Sequence, residues 1–243
     1  MTSSVDDYFD DVVSRLVALK RDARAGIERA IEAILSVVQS DGRVFVFGTG
    51  HSHVLAEETH YRAGGLAITV PILTGATTVK DGAVAGTVYE RMPGIVGPIL
   101  ERYGVGRTDL LIVVSNSGVN AAPIEAARIG KEVGAMVVAL TSEDYSRRAA
   151  QGRPRIADLA DIVLDNGSPP GDAVIAIPGT PLKVGPVSTI TGATIINAIL
   201  VGVAVQLITR GQEAPIYLSA GMEGASEVNQ RLVRRYRDRN PHL

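Results

Sequence analysis

Residues 109–120 read DLLIVVSNSGVN, and they join the strongest strand signal of the chain to a polar loop that contains a glycine. The run 110–114 is wholly aliphatic and mostly β-branched, which predicts a strand that is buried on both faces. Apolar residues at helical spacing over about 121–133, with Gly134 behind them, predict a helix after the loop. A buried strand that leads through a polar loop into a helix is typical of a parallel sheet covered by helices.

The same alternation extends in both directions from this unit. Short apolar runs predict further strands, and helical stretches separate most of them. The predicted strands are 43–48, 66–72, 109–115, 135–140 and 160–166, with a short strand or edge segment at 173–177. The predicted helices lie within 5–40 and near 52–63, 84–91, 95–103, 121–133, 187–210 and 223–239. We predict an α/β protein with a doubly wound parallel sheet and an N-terminal helical arm, residues 1–42, in a chain that is a single domain overall.

Composition and charge exclude several classes of protein. The 24 basic and 26 acidic residues give a net charge of −2, whereas proteins that bind nucleic acid usually carry a basic excess. The chain has no cysteine, which excludes disulfides, thiolate nucleophiles and cysteine-ligated zinc. The N-terminal residues are acidic and lack the apolar segment of a secretory signal, so we expect a cytoplasmic protein.

One stretch is apolar enough to raise the question of a membrane. No charged residue lies between Lys183 and Arg210, and about 20 apolar residues can span a bilayer. Polar residues interrupt the stretch, among them Ser188, Asn197 and Gln206. We therefore predict a helix that is buried on most sides within the protein, and no membrane partner.

The first functional loop follows the strand 43–48 and reads GTGHSH, residues 48–53. Its position before a helix favours an anion, because free backbone N–H groups and the helix dipole meet there. A dinucleotide fingerprint is excluded, since His53 stands where the third glycine would be and no acidic residue ends the second strand. A P-loop is excluded because no Gly-Lys-Ser/Thr is present.

The second functional loop, SNSGVN, occupies residues 115–120. The hydroxyls of Ser115 and Ser117, together with Asn120 and free N–H groups, can surround a phosphate without a lysine or arginine. An alternative is that Ser117 or Asn120 only caps the following helix. Ligands of doubly wound sheets bind at the carboxyl ends of the strands, so we expect both loops and residues 141–142 to meet at one edge.

Acidic residues and histidines follow the first loop. His53, Glu57 and His60 share one face of the predicted helix, whereas Glu58 is spaced to pair with Arg62. Glu57 is favoured slightly over Glu58 as a candidate acid/base, because Glu58 can pair with Arg62 and a carboxylate at the mouth of a dry pocket can acquire the pKa that proton transfer needs. The histidines, with His51, also resemble zinc ligands, but we expect hydrogen-bonded contacts or core positions rather than a metal.

The pair GTGHS, residues 48–52, and SNSG-x-N, residues 115–120, resembles the loops of the sugar isomerase (SIS) domain family. The longer stretches GTGHSHVLAEETHYRAGGLA, 48–67, and KVGPVSTITGATIINAI, 183–199, resemble a bacterial subgroup that is similar to phosphoheptose isomerases. The resemblance covers about residues 40–210. It implies a flavodoxin-like sheet of five parallel strands flanked by helices, with a phosphosugar-binding domain over residues 43–243.

The resemblance also implies site residues. Asn120 replaces the threonine that is usual in the family, and its side chain still donates and accepts hydrogen bonds. Glu223 is implied to reach a neighbouring subunit's site. The implied phosphate and sugar contacts are Thr49, Gly50, His51, Ser52, His53, Ser115, Asn116, Ser117, Gly118, Asn120, Thr141, Lys183, Ser188 and Thr189. For Ser188, a position as N-cap of the long helix is the alternative.

The implied activity is that of a sugar-phosphate enzyme. A base, with Glu57, Glu58, His60 and Glu223 as candidates, would remove the C2 proton of a hexose or N-acetylhexosamine 6-phosphate such as N-acetylglucosamine 6-phosphate, and water or an ether group would leave C3. Aldose–ketose isomerisation and phosphosugar sensing without turnover are the alternatives. Related isomerases use a late histidine, and the only one, His242, is expected to be loosely held at the chain end. We expect no cofactor, no metal, and a homodimer or homotetramer with sites near the subunit interface.

Overall fold

The computed structural model describes residues 4–80 and 82–243. Five strands form one parallel sheet in the order β2-β1-β3-β4-β5, which confirms the predicted α/β architecture. The strands of the described residues are β1 (Val44–Gly48), β2 (Thr69–Ile72), β3 (Leu110–Val114), β4 (Met136–Thr141), β5 (Ile162–Asp165), β6 (Ala173–Ala176) and β7 (Lys183–Pro186). The α-helices are α1 (Ser4–Asp22), α2 (Arg24–Gln39), α3 (His53–Glu58), α4 (Ala83–Tyr89), α5 (Val96–Tyr103), α6 (Ala121–Glu132), α7 (Glu143–Ala150), α8 (Ile156–Leu159), α9 (Ser188–Thr209) and α10 (Ala225–Tyr236).

Helices cover both faces of the sheet, and side chains alternate between two apolar cores. Leu110, Ile112 and Val114 of β3 enter the core formed with α2, α3, α9 and α10. Leu111 and Val113 enter the opposite core, formed with α5, α6 and α8. This double burial explains why the central strands are continuous apolar runs. α2 shares the first core with the sheet, while the boundary at residue 42 stays a prediction.

The strand predicted at 66–72 begins only at Thr69, because the residues before it pair elsewhere. Ala67 N donates to the carbonyl of Pro215, and Tyr217 N donates to the carbonyl of Gly65. Leu66 forms an antiparallel bridge with Ile216. Residues 64–67 therefore pair with the segment that precedes α10, and β2 of the main sheet has only four residues.

One helix is also shorter than predicted. α3 ends at Glu58 rather than near residue 63, because Tyr61 has a left-handed backbone with φ +40° and the Thr69 hydroxyl binds the carbonyl of Thr59. The short strand or edge segment predicted at 173–177 is β6, which pairs with β7 in an antiparallel hairpin outside the main sheet. The hairpin leans on α1, where the Tyr8 hydroxyl donates to the carbonyl of Pro186 at 2.8 Å.

The long helix α9 packs within the protein on most sides and has one exposed stripe. It packs against α1, α2 and α3, but Val201, Val205 and Ile208 remain about 60% exposed on its outer side. Within the described residues, α9 is the one helix long and apolar enough to cross a membrane, and 44% of its most apolar stretch is buried. A core helix of a globular protein passes the same test. The exposed residues of α9 therefore form one outer stripe, while its other sides pack against α1, α2 and α3.

The C-terminal segment is tied to the sheet by a buried ion pair. Asp109 precedes β3 with its side chain fully buried, and Arg239 binds both of its oxygens, at 3.0 and 2.6 Å. The same carboxylate accepts the backbone N–H groups of Arg43 and Gly106, at 2.9 and 2.8 Å. Four donors thus converge on one carboxylate and join the beginnings of β1 and β3 to the C-terminal segment.

Replacing Asp109 with alanine should lower the free energy of unfolding by roughly 3–5 kcal/mol, because Arg239 and two backbone N–H groups would be left without their acceptor. Urea denaturation followed by circular dichroism measures the change. Glu132→Ala, which removes the exposed pair with Arg128, is the matched control and should change stability by less than about 0.5 kcal/mol. Similar losses of unfolding free energy in Asp109→Ala and Glu132→Ala would contradict the stabilising role of Asp109.

Candidate functional site

The loops after β1 and β3 leave the sheet at the same edge. Gly48 and Val114, the last residues of the two strands, are register partners. β4 ends beside them at Thr141, whose hydroxyl donates to the carbonyl of Asn116 at 3.2 Å. The expected meeting of the two loops and residues 141–142 at one edge is what the structure shows.

The first loop turns sharply at two glycines, one of which has no room for a side chain and one of which has a left-handed backbone. A Cβ on Gly48 would lie 2.5 Å from the carbonyl oxygen of Ser52, so only glycine fits there. Gly50 has φ +53° and donates its N–H to the carbonyl of Thr77 at 3.0 Å. Residues 50–52 form one 3₁₀ turn before α3, and this turn brings the Ser52 side chain to the edge of the sheet.

The second loop is closed by Ser115 and Gly118. Gly118 N donates to the Ser115 hydroxyl at 3.1 Å, and Gly118 has φ +64°. A Cβ at Gly118 would lie within 3.1 Å of Ser146, Ile156 and Thr141, so the position requires glycine on steric grounds as well. Asn120 starts α6 without a side-chain cap bond, and its amide instead donates to the carboxylate of Glu90. The alternative that Asn120 is only a helix cap is therefore wrong.

Asn116 is held by a buried polar network. Its amide oxygen accepts from Asn166 Nδ2 at 2.9 Å and from the Ser168 hydroxyl at 2.7 Å. The Ser142 hydroxyl extends the network to the carbonyl of Ser168 at 2.6 Å. Since the oxygen of Asn116 is engaged, the group that this side chain can offer a ligand is its amide nitrogen.

Two cavities lie against these loops, and Ser52, Asn116 and Tyr145 line both. The loop cavity, of about 430 Å³, lies between the two loops. Its other lining residues are Thr49, Glu90, Arg91, Ser115, Ser117, Val119, Asn120, Ala149 and Arg153. The helix cavity, of about 260 Å³, lies at the start of α9. Its other lining residues are His51, Leu55, Val114, Asn166, Gly171, Asp172, Ser188 and Thr189.

The start of α9 already holds an anion. Asp172 accepts the N–H groups of Val187 and Ser188 at 3.1 and 2.8 Å, and the Ser188 hydroxyl at 2.7 Å. Ser188 is the first residue of α9 and not its N-cap, so that alternative is wrong. Lys183 is exposed on β7 and lines neither cavity, whereas Thr189 borders the helix cavity.

Both candidate glutamates of α3 are paired. Glu57 Oε1 lies 2.7 Å from Lys80 Nζ and 3.8 Å from His53 Nε2. The hydrogen bond from Lys80 holds the pKa of Glu57 below its usual range, against the opposing effect of burial. A pKa raised by a dry pocket is therefore not what the structure shows for Glu57. Glu58 binds Arg62 and accepts from Asn197 Nδ2 at 3.1 Å, and neither glutamate lines a cavity.

The four histidines lie in three different environments. His53 is buried and its Nδ1 contacts the carbonyl of Gly50, which closes the first loop. His51 is exposed and borders the helix cavity. His60 packs edge to face on His242, whose Nε2 lies 2.7 Å from the Tyr103 hydroxyl. The expectation that His242 is loosely held is wrong, and no group of three metal-ligating side chains occurs among residues 4–80 and 82–243.

Several residues that line the two cavities were not predicted from the sequence, and Glu90, Tyr145 and Asp172 are the polar ones that the argument uses. Glu90 lies in the glycine-rich stretch 73–107, far in sequence from both loops that it contacts. Tyr145 and Asp172 follow strands on other parts of the chain, and no spacing connects them with the motifs. Glu223, which the resemblance implied, is exposed before α10 and lines neither cavity.

Comparisons with known proteins agree with this architecture. The model of the SIS domain family matches residues 7–142. The UPF0309 protein of Brucella anthropi is 59% identical over 243 residues, with 100% of both chains covered. That of Brucella canis is 58% identical over the same length and coverage.

Solved structures of low sequence identity share the fold. Phosphoheptose isomerase GmhA from Neisseria gonorrhoeae has a TM-score of 0.57 at 20% identity, covering 83% of this chain and 97% of that chain. The sugar isomerase domain of the RpiR transcription factor from Sphaerobacter thermophilus has a TM-score of 0.51 at 20% identity, covering 94% and 97%. The Vibrio vulnificus NanR protein complexed with ManNAc-6P has a TM-score of 0.52 at 14% identity, covering 96% and 70%.

The histidine pair predicts a loss of stability in mild acid. Burial lowers the pKa of His60 and of His242 from the ordinary value of 6.5, and the charge of His60 adds to the effect on His242. The unfolded chain therefore takes up protons first as the pH falls. The stability that neutral histidines provide is present above about pH 6.5 and is lost as the pH falls through the folded-state pKa values.

Urea denaturation at about pH 8 and about pH 5.5 measures this loss. The double variant His60→Gln/His242→Gln cannot titrate at these positions and should lose less stability than the natural chain over the same interval. Arg102 and Lys80 also lower the pKa of His242, and their contribution disappears together with the histidine in the double variant. Equal losses in the two proteins would contradict the prediction.

Proposed function

The chain belongs to the SIS domain family, among the UPF0309 proteins, and from this premise we propose that it binds a sugar phosphate at the carboxyl edge of its sheet. One observation carries the proposal: hydroxyl and amide side chains of two loops that are far apart in sequence line the same cavity. These side chains are Thr49, Ser52, Ser115, Ser117 and Asn120. Their convergence supports a ligand with several oxygen atoms, since each group donates or accepts hydrogen bonds.

The phosphate of the ligand would bind at the start of α6. This helix has 12 residues, and its N-terminus meets the second loop, so its dipole favours an anion there. The hydroxyls of Ser52, Ser115 and Ser117 would supply further hydrogen bonds. Arg91 and Arg153 on the rim of the loop cavity would add positive charge.

The sugar would extend into the helix cavity. Ser52, Asn116 and Tyr145 connect the two cavities, and His51 and Thr189 lie at the far side. We propose a hexose or N-acetylhexosamine 6-phosphate as ligand, with N-acetylglucosamine 6-phosphate as one candidate. The ManNAc-6P complex of the NanR protein supports this class of ligand.

The proposed reaction is proton abstraction at C2 of the open sugar followed by elimination. The base takes the C2 proton, the electron pair forms the C2–C3 double bond, and the C3–O bond breaks to release water or an alcohol. Glu57, Glu58 and His60 are the candidate bases, and Glu223 would act from a neighbouring subunit. Isomerisation remains the alternative, with reprotonation at C1 in place of C3–O cleavage, and the Neisseria phosphoheptose isomerase supports it. Neither reaction requires a metal or organic cofactor, since a carboxylate is a sufficient base.

A second candidate function is sensing of the sugar phosphate without turnover. The pairing of Glu57 with Lys80 and of Glu58 with Arg62 favours it, because a general base needs an accessible carboxylate and a pKa nearer to neutrality. Catalysis through either glutamate requires that ligand binding or a second subunit opens these pairs.

We propose that a second copy of the chain covers the apolar surface of α1 and α9. These two helices pack together, and α9 carries no charged residue over its 22 residues. The exposed apolar side chains are Val5, Phe9, Val13 and Val17 on α1 and Val201, Val205 and Ile208 on α9. Stripes of this kind on neighbouring helices favour association, because contact between two copies removes them from water.

A panel of sugar phosphates should raise the melting temperature of the protein, whereas the sugars without phosphate should not. Ser117→Ala should weaken binding about tenfold, since a hydrogen bond to a charged oxygen is lost. Isothermal titration measures the affinity. Ser226→Ala, at an exposed position of α10, is the control and should bind like the natural chain.

Proton NMR in D₂O follows the same samples over time and separates the three functions. Elimination gives an unsaturated sugar phosphate, isomerisation gives a ketose phosphate, and sensing leaves the ligand unchanged. Glu57→Gln or Glu58→Gln should abolish turnover and keep binding. Absence of binding by every member of the panel would contradict the proposed function as a whole.

The oligomer is tested by sedimentation equilibrium. The natural chain should sediment with at least twice the mass of one chain, and Val205→Lys should shift it towards the monomer because a charge would enter the apolar contact. Val84→Lys on α4, an exposed valine outside that surface, is the control and should leave the mass unchanged. A monomeric natural chain would contradict the proposal.

A further inference from the structure

Glu90 is a carboxylate that lines the loop cavity and has no role in the proposed function. It directly follows α4, and 17% of its side chain is exposed. Thr49 Oγ1 donates to its Oε2 at 3.1 Å, and Asn120 Nδ2 donates to its Oε1 at 3.0 Å. One carboxylate thus bridges the first functional loop and the second.

The backbone of Glu90 strengthens the same bridge. Its carbonyl accepts the N–H of Ala122, in the first turn of α6, at 2.9 Å. Arg91 Nη1 lies 2.9 Å from Glu90 Oε1, but this guanidinium is largely exposed and reaches only one oxygen. Glu90 therefore sits as an anion at the helix N-terminus where the proposed phosphate would bind.

A phosphate and the Glu90 carboxylate compete for the same donors. The Thr49 hydroxyl and the Asn120 amide are both engaged by Glu90, and both belong to the loops that line the loop cavity. Two anions side by side in a partly enclosed cavity repel each other more strongly than in water, because the effective dielectric constant is lower. A phosphate can use these donors fully only when the carboxylate moves away.

The segment that carries Glu90 is attached by few buried side chains. α4 exposes Val84 and Val88, and the residue that it buries is Gly86. Gly82 and Gly94 border the segment with φ of +109° and +86°, and a Cβ at either would meet nothing within 4 Å. Bordering glycines with open space around them permit the backbone to turn at both ends.

We propose that Glu90 is a specificity-determining residue, an internal anion that holds the two loops together until a phosphate-bearing ligand replaces it. The inference rests on the proposed function and deepens it. Inorganic phosphate, which brings a charge but no sugar contacts, displaces the carboxylate poorly. A sugar phosphate gains contacts in the helix cavity that compensate for the loss of the Glu90 hydrogen bonds. The site therefore selects phosphate esters over free phosphate.

The test compares the natural chain with Glu90→Gln, which keeps the size of the side chain and removes its charge. Isothermal titration uses three probes: inorganic phosphate, the tightest sugar phosphate of the panel, and the same sugar without phosphate. Glu90→Gln should bind both phosphate-bearing probes at least about tenfold more tightly and by a similar factor, because both must displace the carboxylate in the natural chain, and the sugar without phosphate should bind neither protein. Glu101→Gln, an exposed residue of α5, makes the same change in net charge and should alter every affinity less than about twofold.

The outcomes separate the inference from the proposed function. If the natural chain binds sugar phosphates and Glu90→Gln binds them equally or more weakly, Glu90 is a structural bridge and the inference is wrong, while the proposed function stands. If neither protein binds any phosphate-bearing probe, the proposed function is wrong and the inference with it. Thermal unfolding verifies that Glu90→Gln is folded. If Glu90→Gln does not fold, Glu90→Ala replaces it. The same gain in phosphate affinity is expected, and equal or weaker binding of sugar phosphates would again contradict the inference.

Discussion

The register between β1 and β3 is the constraint on which the candidate site depends. Gly48 and Val114 end their strands as partners, so the loops behind them start from neighbouring points of one sheet edge. Burial on both faces enforces this register, because a slip by one residue would exchange the side chains of the two cores. The distance between Ser52 and Ser115 is thus set by apolar packing that lies beneath the site.

The site consists of short polar groups, and the protein itself satisfies several of them. Asp172 accepts the donors at the start of α9, and Glu90 accepts donors from both functional loops. A network around Asn116 engages its amide oxygen. Buried donors without partners are costly, so a binding site of this kind needs internal acceptors when no ligand is present. Ligand binding at such a site is an exchange of hydrogen bonds rather than a simple addition.

The two candidate bases on α3 form ion pairs of their own and do not line the two cavities. Glu57 and Glu58 are consecutive in sequence, yet one pairs with Lys80 beside the first loop and the other with Arg62 and Asn197 beside α9. Their different partners follow from helix geometry, since consecutive residues point about 100° apart. The candidate bases therefore belong to a different polar network from the groups that line the two cavities.

The sequence by itself determined the parallel α/β architecture, the two glycine-containing loops and their common edge, because these depend on local apolar runs and on turns that only glycine can make. Elements whose ends depend on distant partners were not determined in this way. Leu66 and Ala67 carry a strand signal but pair with the segment before α10, and the run 173–177 pairs with β7 outside the main sheet. Glu90, Tyr145 and Asp172 were placed at the cavities only by the tertiary structure. The hydrogen-bond partners of Asp172 and Glu90 lie 15 to 41 residues away in sequence, and no local pattern marks such a side chain.

His242 was expected to be loosely held because it lies near the chain end. It packs against His60 and Tyr103 because the ion pair between Asp109 and Arg239 anchors the residues before it.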